Sequence, residues 1–504
     1  MSLGPRLAVP AFVPLLLALL LPIGLASQDT PQWRYAAPAD ITTLWLAPNG
    51  DVVAVMPDQV AALDPATGSP AWTRTGVHAA REHWWFMTSE DSVQGVLDLG
   101  DHLDAIDLKT GVTRWDTPTL GITSVKGYLG VRGRGLLLVY GSSAQDSSVL
   151  FGVDLASGQV RWRHANPFAV APKRYRQLTS FKDEFGAWLG GEQSARPVAD
   201  STFFLYISED GPVLVNINTG AFLWRASSLA GKRPPALRDE YPLVLIADSI
   251  AYIPREKELH AIRLSDGTPV WSKPPELPSR VRQLELTTAG LVVRGVRRDQ
   301  DAVKDGSFVD LLDPGTGASR WPKPYKHGWS VLHPNDAPAW ISPFVVRGER
   351  VYFASDGKLL GISLSQGSVA ELGKVKFKGD EEPGEVQNRT DGILLFAYQN
   401  VLLEDTTGSV KYQAYYRGPK TGGLLGKIFG WRNVGSYYTR DFLYFITAEK
   451  NSAGQTRPCL VKASKDENRV EGRVWLNEAS ADFTVTQGAA YVLTAPREVS
   501  AFKW

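Results

Sequence analysis

One cysteine, Cys459, stands in a chain of 504 residues. No intrachain disulfide can form, so the fold must rest on packing. The flanking Pro-Cys-Leu-Val places the thiol on a strand, where it is expected to be buried. Net charge is nearly absent as well. The formal value is +1, with no long basic or acidic run, which removes the electrostatic footprint of a nucleic-acid binder. Helix-period stretches are rare, and short apolar strands punctuated by 47 Gly and 33 Pro point to an all-β chain.

Reactive constellations are equally scarce. His83, His327 and His333 do not fall at metal-ligand spacings. No Gly-X-Ser-X-Gly elbow comes with plausible partners, and Gly422-Gly423 to Lys427 lacks the spacing of a phosphate loop. Asp299, Asp301 and Asp305 have no closing Glu and form the solvated tip of a hairpin rather than a calcium loop. Asn388-Arg389-Thr390 matches a glycosylation sequon, to which we attach no role.

What the chain does have is a repeated phrase. Ala62–Trp72 reads Ala-Leu-Asp-Pro-Ala-Thr-Gly-Ser-Pro-Ala-Trp, with Asp64, Gly68 and Trp72 as its frame. The frame returns at Asp107, Gly111 and Trp115, and again at Asp154, Gly158 and Trp162. Weaker copies end at Gly220 and Trp224, at Gly267 and Trp271, and at Asp313, Gly317 and Trp321. Gly367 and Gly408 mark two eroded ones, with Tyr412 in the tryptophan place of the second. A period of roughly 40 to 60 residues signals a propeller or solenoid.

Each part of the phrase has a physical task. The alternating Val, Leu, Ile and Ala before it suit a half-buried strand. Glycine takes positive φ in the turn without steric cost. The Asp accepts hydrogen bonds from the turn's own N–H groups. The tryptophan, on the following strand, can wedge a large ring between neighbouring sheets while its N–H finds a carbonyl.

The Ala-X-Asp-X-X-Thr-Gly-X-X-X-Trp phrase resembles the tryptophan-docking motif of quinoprotein (PQQ-type) β-propellers, a family that includes non-catalytic relatives of the BamB type. The resemblance is close at 62–72 and 105–115, looser elsewhere, and spans the chain after its leader. It implies one closed propeller of four-stranded blades, eight by family expectation, in which the motif packs blades together and does no chemistry. Quinoprotein enzymes carry an adjacent Cys-Cys disulfide over the cofactor and a set of calcium ligands. One cysteine excludes the disulfide and no matching Glu, Asn and Asp set is present, so no cofactor and no metal are expected.

Counting strands gives ten units rather than eight. The first complete one runs Ile41–Pro48, Asp51–Pro57, Val60–Pro65 and Ala71–Gly76. A mixed stretch, 169–200, interrupts the series before a fourth unit that begins at Ser201–Ser208. The tenth has three strands, Phe483–Thr486, Ala490–Thr494 and Val499–Lys503. Gln32-Trp33-Arg34-Tyr35 supplies the missing one, so residues 32–37 are expected to pair with 498–504 and close the ring.

Residues 1–26 read as a signal peptide: Arg6, an apolar run at Leu15–Leu21, and a small-residue site at Gly24-Leu25-Ala26. An uncleaved anchor is the alternative. No cysteine follows the run, so lipid attachment is not expected and the protein is periplasmic or secreted. One loop, 417–433, escapes the repeat logic. Its Leu424, Leu425, Lys427, Ile428, Phe429 and Trp431 form an apolar segment suited to a partner or a membrane surface. The alternative is that these side chains fold back over a blade edge or the channel.

The functional expectation is a monomeric, non-catalytic scaffold of the envelope that binds other envelope proteins and takes part in outer-membrane protein assembly. The rivals are a quinone- and calcium-dependent dehydrogenase and a carbohydrate- or surface-binding propeller.

Overall fold

In a computed structural model, the protein is described from residue 30 to residue 504. The exceptions are 78–86, 89–93, 132, 168–193, 196, 208–209, 232–243, 256, 297–306, 328–340, 356–357, 375–384, 390–391, 398–399, 405–409, 416–436, 439–441, 451–452, 465–469 and 477–481. The leader and the apolar loop therefore lie outside the described residues.

The described strands fall into ten sheets. The first sheet shows how the sequence builds one. Thr43–Leu46, Val52–Met56, Gln59–Leu63 and Pro70–Thr75 pair antiparallel in chain order. The middle two strands are buried along nearly their whole length, because both of their faces are covered. The second sheet (87–116), sixth (280–327), seventh (345–374), eighth (385–415) and ninth (437–475) repeat this four-stranded meander. The third sheet (124–165) gains a fifth strand, Ser194–Ala195, lying parallel to Ser124–Val131.

The tenth sheet carries the two ends of the chain. Phe483–Val485, Ala489–Ala495 and Glu498–Lys503 run in order, and Trp33–Ala36 completes them. Trp33 lies opposite Ala501 and Ala36 opposite Glu498. The expected pairing of the terminal segments is what the structure has.

Several boundaries differ from the sequence reading. The described residues hold ten sheets where the resemblance implies eight. The fourth sheet begins at Pro197–Ala199, so the end of the 169–200 stretch belongs to strands. The fifth sheet has three strands, not four, among the described residues. Its outer segment carries Pro269, Pro274 and Pro275, which lack the N–H a ladder needs, and only isolated bridges remain, Ile262 with Pro269 and Glu258 with Glu276. In the sixth sheet Pro322 and Pro324 have the same effect, and the outer strand forms only at Tyr325–His327.

Apolar clusters span successive sheets. Val53, Val60, Trp72 and Ile106 join the first to the second. Trp115, Leu137 and Phe151 join the second to the third. Trp33, Leu44, Ala61 and Tyr491 join the tenth to the first. Ile446, Val474, Val492 and Phe502 join the ninth to the tenth. The core is thus distributed between sheets rather than gathered at one centre, as stacked repeats require.

Candidate functional site

The repeated phrase builds a girdle of inter-sheet docks. The Asp side chain closes a local turn first. Asp64 Oδ1 accepts the backbone N–H of Ala66 at 2.9 Å and of Thr67 at 2.8 Å, and the Thr67 hydroxyl at 3.0 Å. Asp107 and Asp313 repeat the pattern with Lys109 and Thr110, and with Gly315 and Thr316. Asp154 does so with Ser157, and Asn216 stands in with Asn218 and Thr219. The turn brings Gly68 and Gly111 to φ of 72° and 69°, the left-handed region where a Cβ is unwelcome.

The glycine then receives a ring from the preceding sheet. A Cβ on Gly111 would stand 2.7 Å from Trp72, and one on Gly158 would stand 2.5 Å from Trp115. Gly68 lies against Trp33, Gly220 against Trp162, Gly267 against Trp224, Gly317 against Trp271 and Gly367 against Trp321. In every case the indole N–H donates to the carbonyl three residues before that glycine. Trp72 reaches Leu108 at 2.7 Å, Trp115 reaches Leu155 at 3.0 Å and Trp162 reaches Ile217 at 2.9 Å. Trp224 bonds Leu264, Trp271 bonds Pro314 and Trp321 bonds Leu364, each at 2.9 Å. Ring burial, turn and hydrogen bond are satisfied together, which is the condition for burying a tryptophan without loss.

A small residue on the adjacent strand makes room for the ring. Ala62 faces Trp72, Ala105 faces Trp115 and Gly152 faces Trp162. In the fourth sheet Leu214 takes that place opposite Trp224, and Trp224 is the docking ring that stays half-exposed.

Sequence reasoning missed two parts of the girdle. Trp33 was seen as part of a closing strand but not as a docking ring. It donates to Pro65 O at 2.9 Å and belongs to the same series. The second is an arginine one residue before the tryptophan. Arg114 bonds Asp107 at 2.6 Å, Arg320 bonds Asp313 at 2.6 Å and Arg161 bonds Asp154. The recurring Arg-Trp pair at 114–115, 161–162 and 320–321 was the available signal.

These contacts set the carboxylates' charge. Arg114 holds the Asp107 carboxyl below the usual range, as Arg320 does for Asp313. For Asp64 the Thr67 N–H does the same. Burial works against Asp154, but the Ser157 N–H and Arg161 outweigh it and leave it lowered. Asp310 and Glu285 move the other way, pushed up by burial.

Polar clasps reinforce particular joints. Between the first and second sheets, Arg74 bonds Asp104 at 2.5 Å and Gly111 O at 3.1 Å. Between the sixth and seventh, Gln283 donates to Phe344 O and accepts from Phe344 N, at 2.7 and 2.8 Å. Between the tenth and first, Asp482 accepts from Leu44 N and from the Thr43 hydroxyl, at 2.8 and 2.9 Å.

The other sequence candidates give no site among the described residues. Asp299, Asp301, Asp305, His83, His333, Gly408 and the segment Leu424, Leu425, Lys427, Ile428, Phe429 and Trp431 lie outside the described residues. Asn388 accepts a hydrogen bond from Arg347 at 3.2 Å, within a strand. Cys459 is fully buried, as expected. Among the described residues no group of three or more His, Cys, Asp or Glu is placed to hold a metal, and no helix is long and apolar enough to cross a membrane.

A protein-family model described as the outer membrane protein assembly factor BamB matches residues 25–187 and 209–404, well over half of the chain. No curated protein matches. Among solved structures, BamB from Moraxella catarrhalis is similar at 12% identity over 84% of this chain and 97% of that one, with a TM-score of 0.36. A computationally designed protein, Ika8, is similar at 13% identity over 77% and 99%, with a TM-score of 0.33. The dihydro-heme d1 dehydrogenase NirN is similar at 12% identity over 88% and 75%, also at 0.33. At such scores these likenesses add nothing to the family match.

Proposed function

The chain belongs to the PQQ-like repeat family of the outer-membrane protein assembly factor BamB, and from that premise we propose that it is a non-catalytic propeller of the cell envelope that binds other envelope proteins during outer-membrane protein assembly. The sheets close into one disc, with Trp33–Ala36 and Glu498–Lys503 as the seam. Residues 1–26 direct export as a signal peptide, and the protein works in the periplasm as a monomer. Leu425 and Phe429, in the apolar segment 417–433, are the partner-facing residues.

The observation that carries this reading is how the repeated residues are used. The motif carboxylates are bonded to their own turns and the motif indoles to the next sheet, so the sequence features that mark the family serve packing. Recognition is then left to loops on a rigid frame.

Purified protein used as bait on envelope extract tests the proposal. Recovery of outer-membrane assembly components, lost with Leu425→Ser/Phe429→Ser at unchanged unfolding midpoint, supports it. Tight uptake of the quinone with calcium, followed by dye-coupled oxidation of an alcohol or sugar, overturns it in favour of a dehydrogenase.

A further inference from the structure

The docks share one register, and the ninth sheet departs from it. In the first three sheets the strand pairing slips at a bulge, and the residue just before the bulge faces the tryptophan: Ala62, Ala105 and Gly152. In the ninth sheet the residue before the bulge is Lys462, and it faces Gly472. The place of the docking ring is therefore held by a glycine.

The tenth sheet departs in the complementary sense. Ala501 faces Trp33 there, as Ala62 faces Trp72. Trp504, three residues beyond Ala501, therefore holds the place of Pro65, three beyond Ala62. Elsewhere this position accepts the incoming indole N–H through its backbone carbonyl and carries no ring that reaches back to the preceding sheet's glycine. Here its own side chain is the indole, and it lies on Gly472, where a Cβ would stand 2.7 Å from the ring. The Tyr444 ring packs against it with centroids 5.5 Å apart. The Lys462 ammonium lies 5.8 Å from its ring centre and 4.3 Å from that of Phe442. The Trp504 N–H is buried and has no acceptor among the described residues, unlike those of the seven forward docks.

We propose that Trp504 is a reversed docking residue. Ring and glycine have exchanged sheets, so the joint between the ninth and tenth sheets is locked from the far side, by packing and cation–π attraction rather than by an indole hydrogen bond. This goes beyond the functional reading and does not depend on it.

A mutant cycle read by denaturant midpoint tests the proposal. Gly472 is not in the left-handed region, so alanine is tolerated by its backbone. Gly472→Ala lowers the midpoint when Trp504 is present, by pushing the ring out, and does nothing in a Trp504→Ala background. Additive effects, or a Trp504→Ala protein as stable as the parent, overturn the idea. Should Trp504→Ala not fold, phenylalanine variants decide. Trp504→Phe removes a buried donor with no partner and holds or raises the midpoint, whereas Trp72→Phe removes a hydrogen-bonded one and lowers it. An equal fall in both contradicts the reversed dock.

Discussion

The joint between the first and second sheets and the joint between the seventh and eighth serve one purpose by different means. At the first, Trp72 is buried against Gly111 and bonded to Leu108, with Arg74 and Asp104 clasped beside it. At the second, Tyr352, Leu359, Val386 and Ile393 pack without any indole among the described residues. The tryptophan place of the seventh sheet is Glu371, four residues after Gly367, and it bonds Lys358 at 2.8 Å in solvent. A common sheet framework thus tolerates loss of the dock. The comparison teaches that strand pairing and an aliphatic cluster suffice to make and join sheets, while the indole adds a hydrogen-bonded contact to the next one.

The largest expected effect sharpens that contrast. Trp115→Ala, which empties a buried site, lowers unfolding free energy by about 3–5 kcal/mol, whereas Glu371→Ala, which breaks an exposed ion pair, changes it by about 0–1 kcal/mol. Urea unfolding of both variants measures the difference. Equal losses break the comparison.

A middle-sized effect separates the turn from the dock. Gly111→Ala meets both a left-handed backbone, at about 1–2 kcal/mol, and the Trp72 ring. Gly121 has a similar φ of 77° but open space where its Cβ would go, so Gly121→Ala meets the backbone strain alone. The excess loss in Gly111→Ala, read by thermal unfolding, measures the docking contact itself.

The smallest effect is electrostatic. Because Arg114 depresses the folded-state Asp107 carboxyl, its contribution is full above the unfolded value of about 3.9 and disappears as pH falls through the lower folded value. Asp107→Asn therefore loses up to about 1 kcal/mol at neutral pH and converges on the parent in strong acid. A stability profile across acid pH shows whether the two curves meet.

The fold was legible where local chemistry is strong. Asp64, Gly68 and Trp72 announce a turn and a ring because each is a poor choice for any other role at that spacing. The count of ten units followed from strand punctuation, and the pairing of Trp33 with Ala501 followed from a unit short of a strand. Two other kinds of feature were not legible. Pro269, Pro274 and Pro275 sit beside one of the weaker copies of the phrase, whose turn still forms, yet they dissolve the outer strand, because a missing N–H acts on the ladder and not on the turn. Partners were hidden as well: that Trp72 belongs to Gly111 and not to Gly68 is a fact of sheet stacking, and only the three-dimensional arrangement reveals it. The exchange of ring and glycine at Gly472 and Trp504 was invisible for the same reason.

The seam is the most direct test of a single closed body. Ala36 and Glu498 lie opposite each other across it, within reach of a disulfide between cross-strand neighbours. The double variant Ala36→Cys/Glu498→Cys, oxidised at low protein concentration and compared with its reduced form by non-reducing gel and thermal unfolding, reads the seam. The account predicts an intrachain crosslink in nearly all molecules and a raised midpoint; free thiols, or crosslinks only between chains, contradict it.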